Sequence, residues 1–256
     1  MSSQTYDMLN KAWTSTTKIL FGQEIGELKE FEDYLKPAAI GQQVASSFSG
    51  KKLWAALCNY PKNAKFFDYS EEHNTFDKLA SQPFNINRIK DLDSIVETLH
   101  ERFVYSGNKV LGNSKYIENS DAIVDSTAIF NSSKVISSKY VAYSSFLQKN
   151  EYTFGSMSSG ESSHILRCFY NNNLRRCFEV STCVGVSDSY FSYNLLQCSD
   201  CLFSFNIRAK RYMIGNIQLE SKEYTSLKTK LVSEIVDSLR RKKQLDFSII
   251  NIMNNA

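Results

Sequence analysis

Proline is nearly absent: Pro37, Pro61 and Pro83 are the only three in 256 residues, and none follows position 83. That excludes a polyproline or collagen-like chain and leaves the rest of the sequence free to pair its backbone without interruption. Glycine is scarce too, at ten residues, so most corners must be turned by other residue types. No apolar run approaches the roughly 20 residues of a spanning helix, and the opening MSSQTYDMLNKAW lacks the charged and apolar regions of a signal peptide. The expectation is a cytoplasmic protein without a membrane partner. Excess charge of one sign is also missing, with 30 Lys and Arg against 27 Asp and Glu; a net charge of +3 does not by itself indicate a polyanion, and DNA is not expected. Histidine is limited to His73, His100 and His164, among which no Ser/His/Asp set can be ordered. In a reducing compartment the six cysteines, Cys58, Cys168, Cys177, Cys183, Cys198 and Cys201, are expected to be thiols.

What the sequence does have is a repeat. Residues 113–214 divide into seventeen successive hexads, from NSKYIE, NSDAIV, DSTAIF and NSSKVI to QCSDCL, FSFNIR and AKRYMI. The second place is small, as in Ser114, Ser120, Ser126, Ser132, Ser138, Cys168 and Cys198. The fifth is mostly aliphatic, as in Ile117, Ile123, Ile129, Val135, Val141, Leu147 and Ile165. A fixed six-residue period predicts a β-solenoid in which short strands bury one or two residues each and stack coil on coil. Three hexads per coil would give about six turns, and two would give a flatter, narrower rod. Asn113, Asn119, Asp125, Asn131 and Ser137 at the first place suit corners, because their side chains bond the local backbone. From about Asn171 the pattern weakens. Arg167-Cys168-Phe169 recurs nine residues later as Arg176-Cys177-Phe178, a half-hexad slip that marks either a bulge or a longer loop.

The flanks read differently. Tyr6, Leu9, Trp13, Ile19 and Leu20 predict a helix over 3–21, and Ile25, Leu28, Phe31 and Leu35 a second one ended by Pro37. Two or three strands are expected between Gln42 and Tyr69, a loop from Ser70 to Pro83, and a third helix from about Asn87 to Phe103. Beyond the array, Tyr224, Leu227, Leu231, Ile235 and Leu239 predict a helix from Ser221 to about Lys243 that covers the coils, followed by the apolar tail DFSIINIMNNA. The predicted fold is thus α+β: a hexapeptide-like β-solenoid core (113–214), an N-terminal mainly helical α/β region (1–112), and a C-terminal capping helix and tail (215–256).

Three chemistries can be weighed on these residues. Hexads occur in the left-handed β-helix of acyltransferases, but there a small residue follows the aliphatic one, whereas here Glu118, Val124, Phe130, Ile136, Ala142 and Gln148 do. His164 would be the only base the array supplies to such an enzyme. Cys198-Ser199-Asp200-Cys201 has half the spacing of a zinc knuckle, yet its cysteines fall on the second and fifth places of one hexad and read as inward rungs rather than ligands. No metal and no cofactor is implied. The third chemistry is recognition. Tyr116, Tyr140, Tyr152 and Tyr170 take the fourth place, as do Lys134 and Arg176, so one ridge of rings and cations is expected along the rod. Arg175, Arg208, Lys210 and Arg211, with Arg240, Arg241, Lys242 and Lys243 at the end of the last helix, add a basic C-terminal part.

The block around Cys198, Cys201, Phe203, Lys210, Arg211, Tyr212, Lys222, Glu223 and Tyr224 resembles the closing block of a group of uncharacterised, largely archaeal proteins. In those, a Tyr/Ser/Cys-rich array ends in a basic K-R-Y segment and a helix beginning near K-E-Y; the resemblance spans about residues 110–240. It implies the solenoid and, through similar proteins associated with idle ribosomes, a dormancy or assembly factor. The function expected is therefore a non-enzymatic protein presenting a rigid face to the ribosome, with rRNA and ribosomal protein as partners. The alternatives are a hexapeptide-type acyltransferase and a homo-oligomeric scaffold.

Overall fold

The computed structural model describes residues 2–252 except 57, 59, 62, 73–75, 79–82, 84, 86 and 88. His73, Ile86 and half of the expected 70–83 loop therefore lie outside the described residues. The centre is a β-solenoid of about nine turns. Its register gives the coil length directly: Lys139 pairs with Glu151, Ser145 with Met157 and Ile165 with Cys177, always twelve residues apart. One coil is two hexads. Odd-numbered hexads stack on odd ones and even on even, forming two parallel ladders that a strand running from Phe169 to Ser181 joins into one 16-stranded sheet. The ladder begins before the hexad text does, at Val110–Leu111, which pairs with Ile123–Val124.

The chain bends at every third residue. First and fourth places both take the left-handed conformation, for example Asn119 (φ 46°), Ala122 (φ 58°), Asp125 (φ 47°), Lys134 (φ 55°) and Tyr140 (φ 55°). A coil thus turns four corners, with the second and fifth places pointing inward and the third and sixth outward. Each non-glycine residue held there costs on the order of 1 kcal/mol, which persists because neighbouring coils on both sides fix the backbone.

The interior explains the text. Ile123, Ile129, Val135, Val141 and Leu147 form one buried column, and the serines at the second place hydrogen-bond from coil to coil. Ser114 Oγ accepts from Ser126 N (3.1 Å), Ser126 Oγ from Ser138 N (3.1 Å), and Ser138 Oγ from Asn150 N (3.0 Å). Ser126 Oγ and Ser138 Oγ also donate to the carbonyl two residues back, Val124 O and Ile136 O (both 2.8 Å), and Ser114 Oγ to Leu111 O (2.7 Å). A buried N–H that the strand ladder leaves free is satisfied in this way, which otherwise costs about 1–3 kcal/mol. The same column holds Asn150, whose Oδ1 accepts from Ser162 N (2.9 Å), so the larger side chain continues the ladder rather than breaking it.

No half-hexad slip occurs at Arg167–Phe178: Ser163 pairs with Arg175 and Leu166 with Phe178 in unbroken register. What changes is the occupant. Leu174, Val180 and Val186 fill the second place and Cys177, Cys183 and Ser189 the fifth, so small and large exchange places while each hexad keeps one of each. The nine-residue echo arises because Cys168 is a second-place and Cys177 a fifth-place rung.

Helix α1 (Ser3–Phe21) lies along the solenoid, capped by Ser2 and ended by Gly22 in the left-handed conformation (φ 74°). It covers the sixth places of the odd hexads, Phe130, Ala142, Phe154, Leu166, Phe178 and Tyr190, all buried. Trp13 meets Phe154 edge-on at 5.3 Å and Phe21 meets Phe178 at 5.1 Å. The expected second helix is instead one α-turn, α2 (Glu32–Leu35), between 3-10 turns at Leu28–Phe31 and Lys36–Ala38. There the chain folds back on α1 and buries Leu28, Phe31 and Leu35 at its contact. An antiparallel pair, Gly41–Ala45 with Lys52–Ala56, and a parallel pair, Lys65–Asp68 with Val104–Gly107, close the first coil, where Ala56 N donates to Asp121 Oδ2 (2.9 Å). Helix α3 spans Leu92–Arg102 rather than starting at Asn87, because Asp91 caps it: Asp91 Oδ1 accepts from Ser94 N (2.8 Å) and Ser94 Oγ from Asp91 N (3.0 Å). Helix α4 (Ser221–Lys242) packs beside α1 through Val232, Ile235, Val236 and Leu239. Among the described residues no helix is long and apolar enough to cross a membrane.

Candidate partner-binding surface

A twelve-residue coil splits the expected single ridge in two. Fourth places of odd hexads hold Tyr116, Tyr140, Tyr152, His164 and Arg176, while those of even hexads, on another corner, hold Lys134, Phe146 and Tyr170. On the odd corner, rings one coil apart stack on each other: Tyr140 on Tyr152 at 4.9 Å and Tyr152 on His164 at 4.5 Å, nearly parallel at 9°. That separation is the coil spacing itself, so the ladder sets the stacking. Tyr140 and Tyr152 are half-buried against the core that α1 covers, so they pack and present an edge at once.

Cations border this corner. Arg176 takes the next fourth place after His164 and grips Asp188 through two bonds of 2.7 Å. Third places of odd hexads face outward beside it with Lys115, Lys139, Arg175 and Arg211. Lys139 lies 3.9 Å from Glu151. Arg211 reaches Asp200 at 2.9 Å and covers the Tyr212 ring at 4.4 Å. Of the expected recognition residues, the fold thus gathers Tyr116, Tyr140, Tyr152, Arg175, Arg176 and Arg211 on one side. It sets the others apart. Lys134 lies over Phe146 at 4.9 Å on the even corner with Tyr170, and Arg208 projects from an even strand. Lys210 takes an inward place in the last odd hexad, where no further coil covers it and it is exposed. A charge at that position, with the Asn216 side chain bonded to both Phe205 N and Phe205 O at 2.9 Å, guards the end of the sheet against strand addition.

The basic run at the end of α4 is mostly spent within the protein. Arg240 donates to Glu24 O (2.6 and 3.0 Å), Lys242 pairs with Asp246, and Lys243 meets Glu30 at 3.0 Å, leaving Arg241 exposed. The Arg240 and Lys243 contacts fasten the helix end to the segment after α1.

His164 does not have the setting of a catalytic base. Its ring is half-buried in the stack, and burial, with Arg176 next to it, pushes its pKa down. No carboxylate orients it among the described residues. Cys198 and Cys201 are buried rungs, with Sγ of each directed at the carbonyl two residues back (3.3 Å), and burial pushes the Cys201 thiol up to about 12. Among the described residues no group of three or more His, Cys, Asp and Glu is placed to hold a metal.

One polar centre escaped the sequence reading. Arg167 and Glu179, first places of successive even hexads, form a buried ion pair at 2.5 Å. Tyr34 OH donates to Glu179 Oε1 (3.0 Å), Ser248 Oγ and Ile249 N donate to Oε2 (2.6 and 2.9 Å), and Arg167 donates to Tyr34 O and to Ser248 Oγ (3.2 Å). The pair therefore ties solenoid, N-terminal turn and C-terminal tail together. Their twelve-residue separation and opposite charge are visible in the sequence once the coil length is known. No protein-family model matches the chain, and no curated protein matches it.

Proposed function

We propose that the protein is a non-enzymatic interaction module, acting in the cytoplasm, that presents the odd-hexad side of its solenoid to structured RNA, with the ribosome as the intended partner in a dormancy or assembly role. The observation that carries this reading is the Tyr140–Tyr152–His164 stack flanked by Arg175, Arg176 and the third-place lysines. Ring edges and guanidinium groups held at fixed intervals suit splayed bases and their phosphates. The rigid backbone means little ordering cost on binding. Asp188, Asp200 and Glu151 neutralise part of the cationic charge, which favours contact with a shaped surface over diffuse binding to any polyanion.

Sucrose-gradient sedimentation of lysates from growing and starved cells tests it. The protein should travel with ribosomal particles, and Arg175→Glu combined with Tyr116→Ala, both at exposed positions, should move it to the top. A wild-type protein that stays at the top in both states overturns the reading.

A further inference from the structure

The side of the solenoid opposite α1 carries the sixth places of the even hexads, from Val124 to Leu196 in steps of twelve. Ile136 pairs in register with Gln148, Gln148 with Gly160 and Gly160 with Asn172, so these places form one row. The row is nearly the same in both directions. Val124, Ile136 and Gln148 lead to Gly160 from one end as Leu196, Val184 and Asn172 do from the other. Its apolar members are left in water, with Ile136 42%, Val184 47% and Leu196 37% exposed. Gly160, at the centre, is not required by the fold. Its φ is not in the left-handed region, and a Cβ there would meet nothing closer than Asn172 Oδ1 at 3.3 Å, the end of a side chain that can move aside. Glycine weakens a strand, and one that its own backbone does not need marks the close approach of another backbone.

We propose that this side binds a second copy of the chain, antiparallel to the first, about a two-fold axis that runs along the strand direction at Gly160. Each coil then meets the one equally far beyond Gly160 in the other copy. Val124 faces Leu196 of the second copy, Ile136 faces Val184 and Gln148 faces Asn172, so apolar meets apolar and amide meets amide, each contact made twice. The ends add charge. Arg208, one step past Leu196, comes opposite Leu111, one step before Val124. At that level the exposed Asp125 carboxylate lies over Gly112 and accepts from Asn113 N (2.9 Å). Neither Arg208 nor Asp125 has an ion pair within its own chain among the described residues. A parallel pair would instead set Arg208 against Arg208 and leave both Asp125 side chains unanswered. Glu161, on the corner beside the axis, faces its own copy, and Lys149, 3.7 Å from it, offsets that meeting. Size sets the strength. Leu111 to Arg208 spans eight coil steps of ~4.8 Å, roughly 38 Å, and a side of three residues is roughly 10 Å wide. Two copies cover about 760 Å² before the relief of the side chains is counted, below the ~1,200–2,000 Å² of a standard interface, so the dimer is a reversible one.

The test is sedimentation equilibrium of the full-length protein, with a monomer–dimer equilibrium expected at a Kd of about 10–300 μM. Gly160→Arg, which sets two cations at the axis, and Ile136→Lys should each weaken it at least about tenfold while leaving the circular dichroism native. Orientation is read by a short bis-maleimide in a Cys58→Ser background, the other five cysteines being buried. Ile136→Cys and Val184→Cys should cross-link when the two variants are mixed and not when either is alone, because like positions then lie four coil steps, roughly 19 Å, apart. A protein still monomeric at about 1 mM overturns the proposal. So does a dimer indifferent to both substitutions, or one in which either cysteine variant cross-links to itself. Neither Gly160 nor Ile136 lies on the odd-hexad corner, so this result and the ribosome result are independent.

Discussion

The first coils and the later ones solve the same problem with opposite placements. Up to Ser162 the hydrogen-bonding rung is at the second place and the aliphatic one mostly at the fifth; between Leu174 and Ser189 they trade. The acceptor moves with the small residue. Asn171 Oδ1 accepts from Cys183 N (2.8 Å), Cys183 Sγ from Leu195 N (3.2 Å) and Ser189 Oγ from Cys201 N (3.1 Å), all between fifth places one coil apart. Most half coils pair one large apolar with one small, bond-capable residue, in either order, while Asn150 with Thr153, Ser156 with Ser159, Cys168 with Asn171 and Cys198 with Cys201 fill both inward places with small or polar side chains. The later coils also carry the interior thiols and the Arg167–Glu179 centre, so they are the more heavily cross-tied end.

The largest effect that would sharpen this contrast comes from the ion pair. Glu179→Ala leaves the Arg167 guanidinium buried without its partner and should cost about 3–5 kcal/mol in denaturant unfolding. The double replacement Arg167→Met with Glu179→Leu should recover most of that, since neither charge is then stranded. A Glu179→Ala protein as stable as wild type would show that the tail and the N-terminal turn are held by apolar contact alone.

Next comes the exchange itself. Leu174→Ala should cost about 2–5 kcal/mol, because its neighbours are fixed by the ladder and cannot collapse on the void. Cys177→Ile should cost about 1–3 kcal/mol by overfilling the same coil. The pair Leu174→Ser with Cys177→Ile restores the order of the first coils and should cost less than the sum of the singles, by at least roughly 1 kcal/mol of coupling. Strict additivity would mean the two orders are not interchangeable.

Alkali separates the regions in another way. Burial pushes Cys177 and Cys183 from the ordinary 9.0 to about 12. The unfolded chain ionises these thiols first, so their contribution is intact below about pH 9 and is lost as pH climbs toward the folded values; each should cost about 1 kcal/mol near pH 10. Replacing both by Ser should flatten the decline of stability between pH 8 and 10. An unchanged slope would place its origin elsewhere.

Much of this was legible. The hexad text named the inward places, because a narrow interior restricts side-chain size strictly enough to show, and the helical spacing of apolar residues in the flanks named the two long helices. The coil length was legible too, but only in the outward places. Sixth-place residues alternate between buried Phe130, Phe154 and Phe178 and outward Ile136, Gly160 and Val184, and opposite charges recur twelve apart in Lys139/Glu151, Lys149/Glu161 and Arg176/Asp188. Treating all hexads as equivalent averaged that signal away and merged two corners into one ridge. The bonds from Tyr34 and Ser248 to Glu179 were not legible, since they depend on segments more than sixty residues apart meeting on one coil.

The smallest effect bears most directly on whether the two placements do the same work. Ser138→Ala removes the acceptor for Asn150 N in the early coils, and Ser189→Ala removes the one for Cys201 N in the later coils. Neither opens a cavity of consequence, and each strands one buried N–H, so both should cost about 1–2 kcal/mol. Amide exchange at Asn150 and at Cys201 should rise in the matching variant and not in the other. If Ser189→Ala proved silent while Ser138→Ala did not, the exchange in the later coils would be a matter of volume only, and the hydroxyl ladder would be a property of the early coils rather than of the fold.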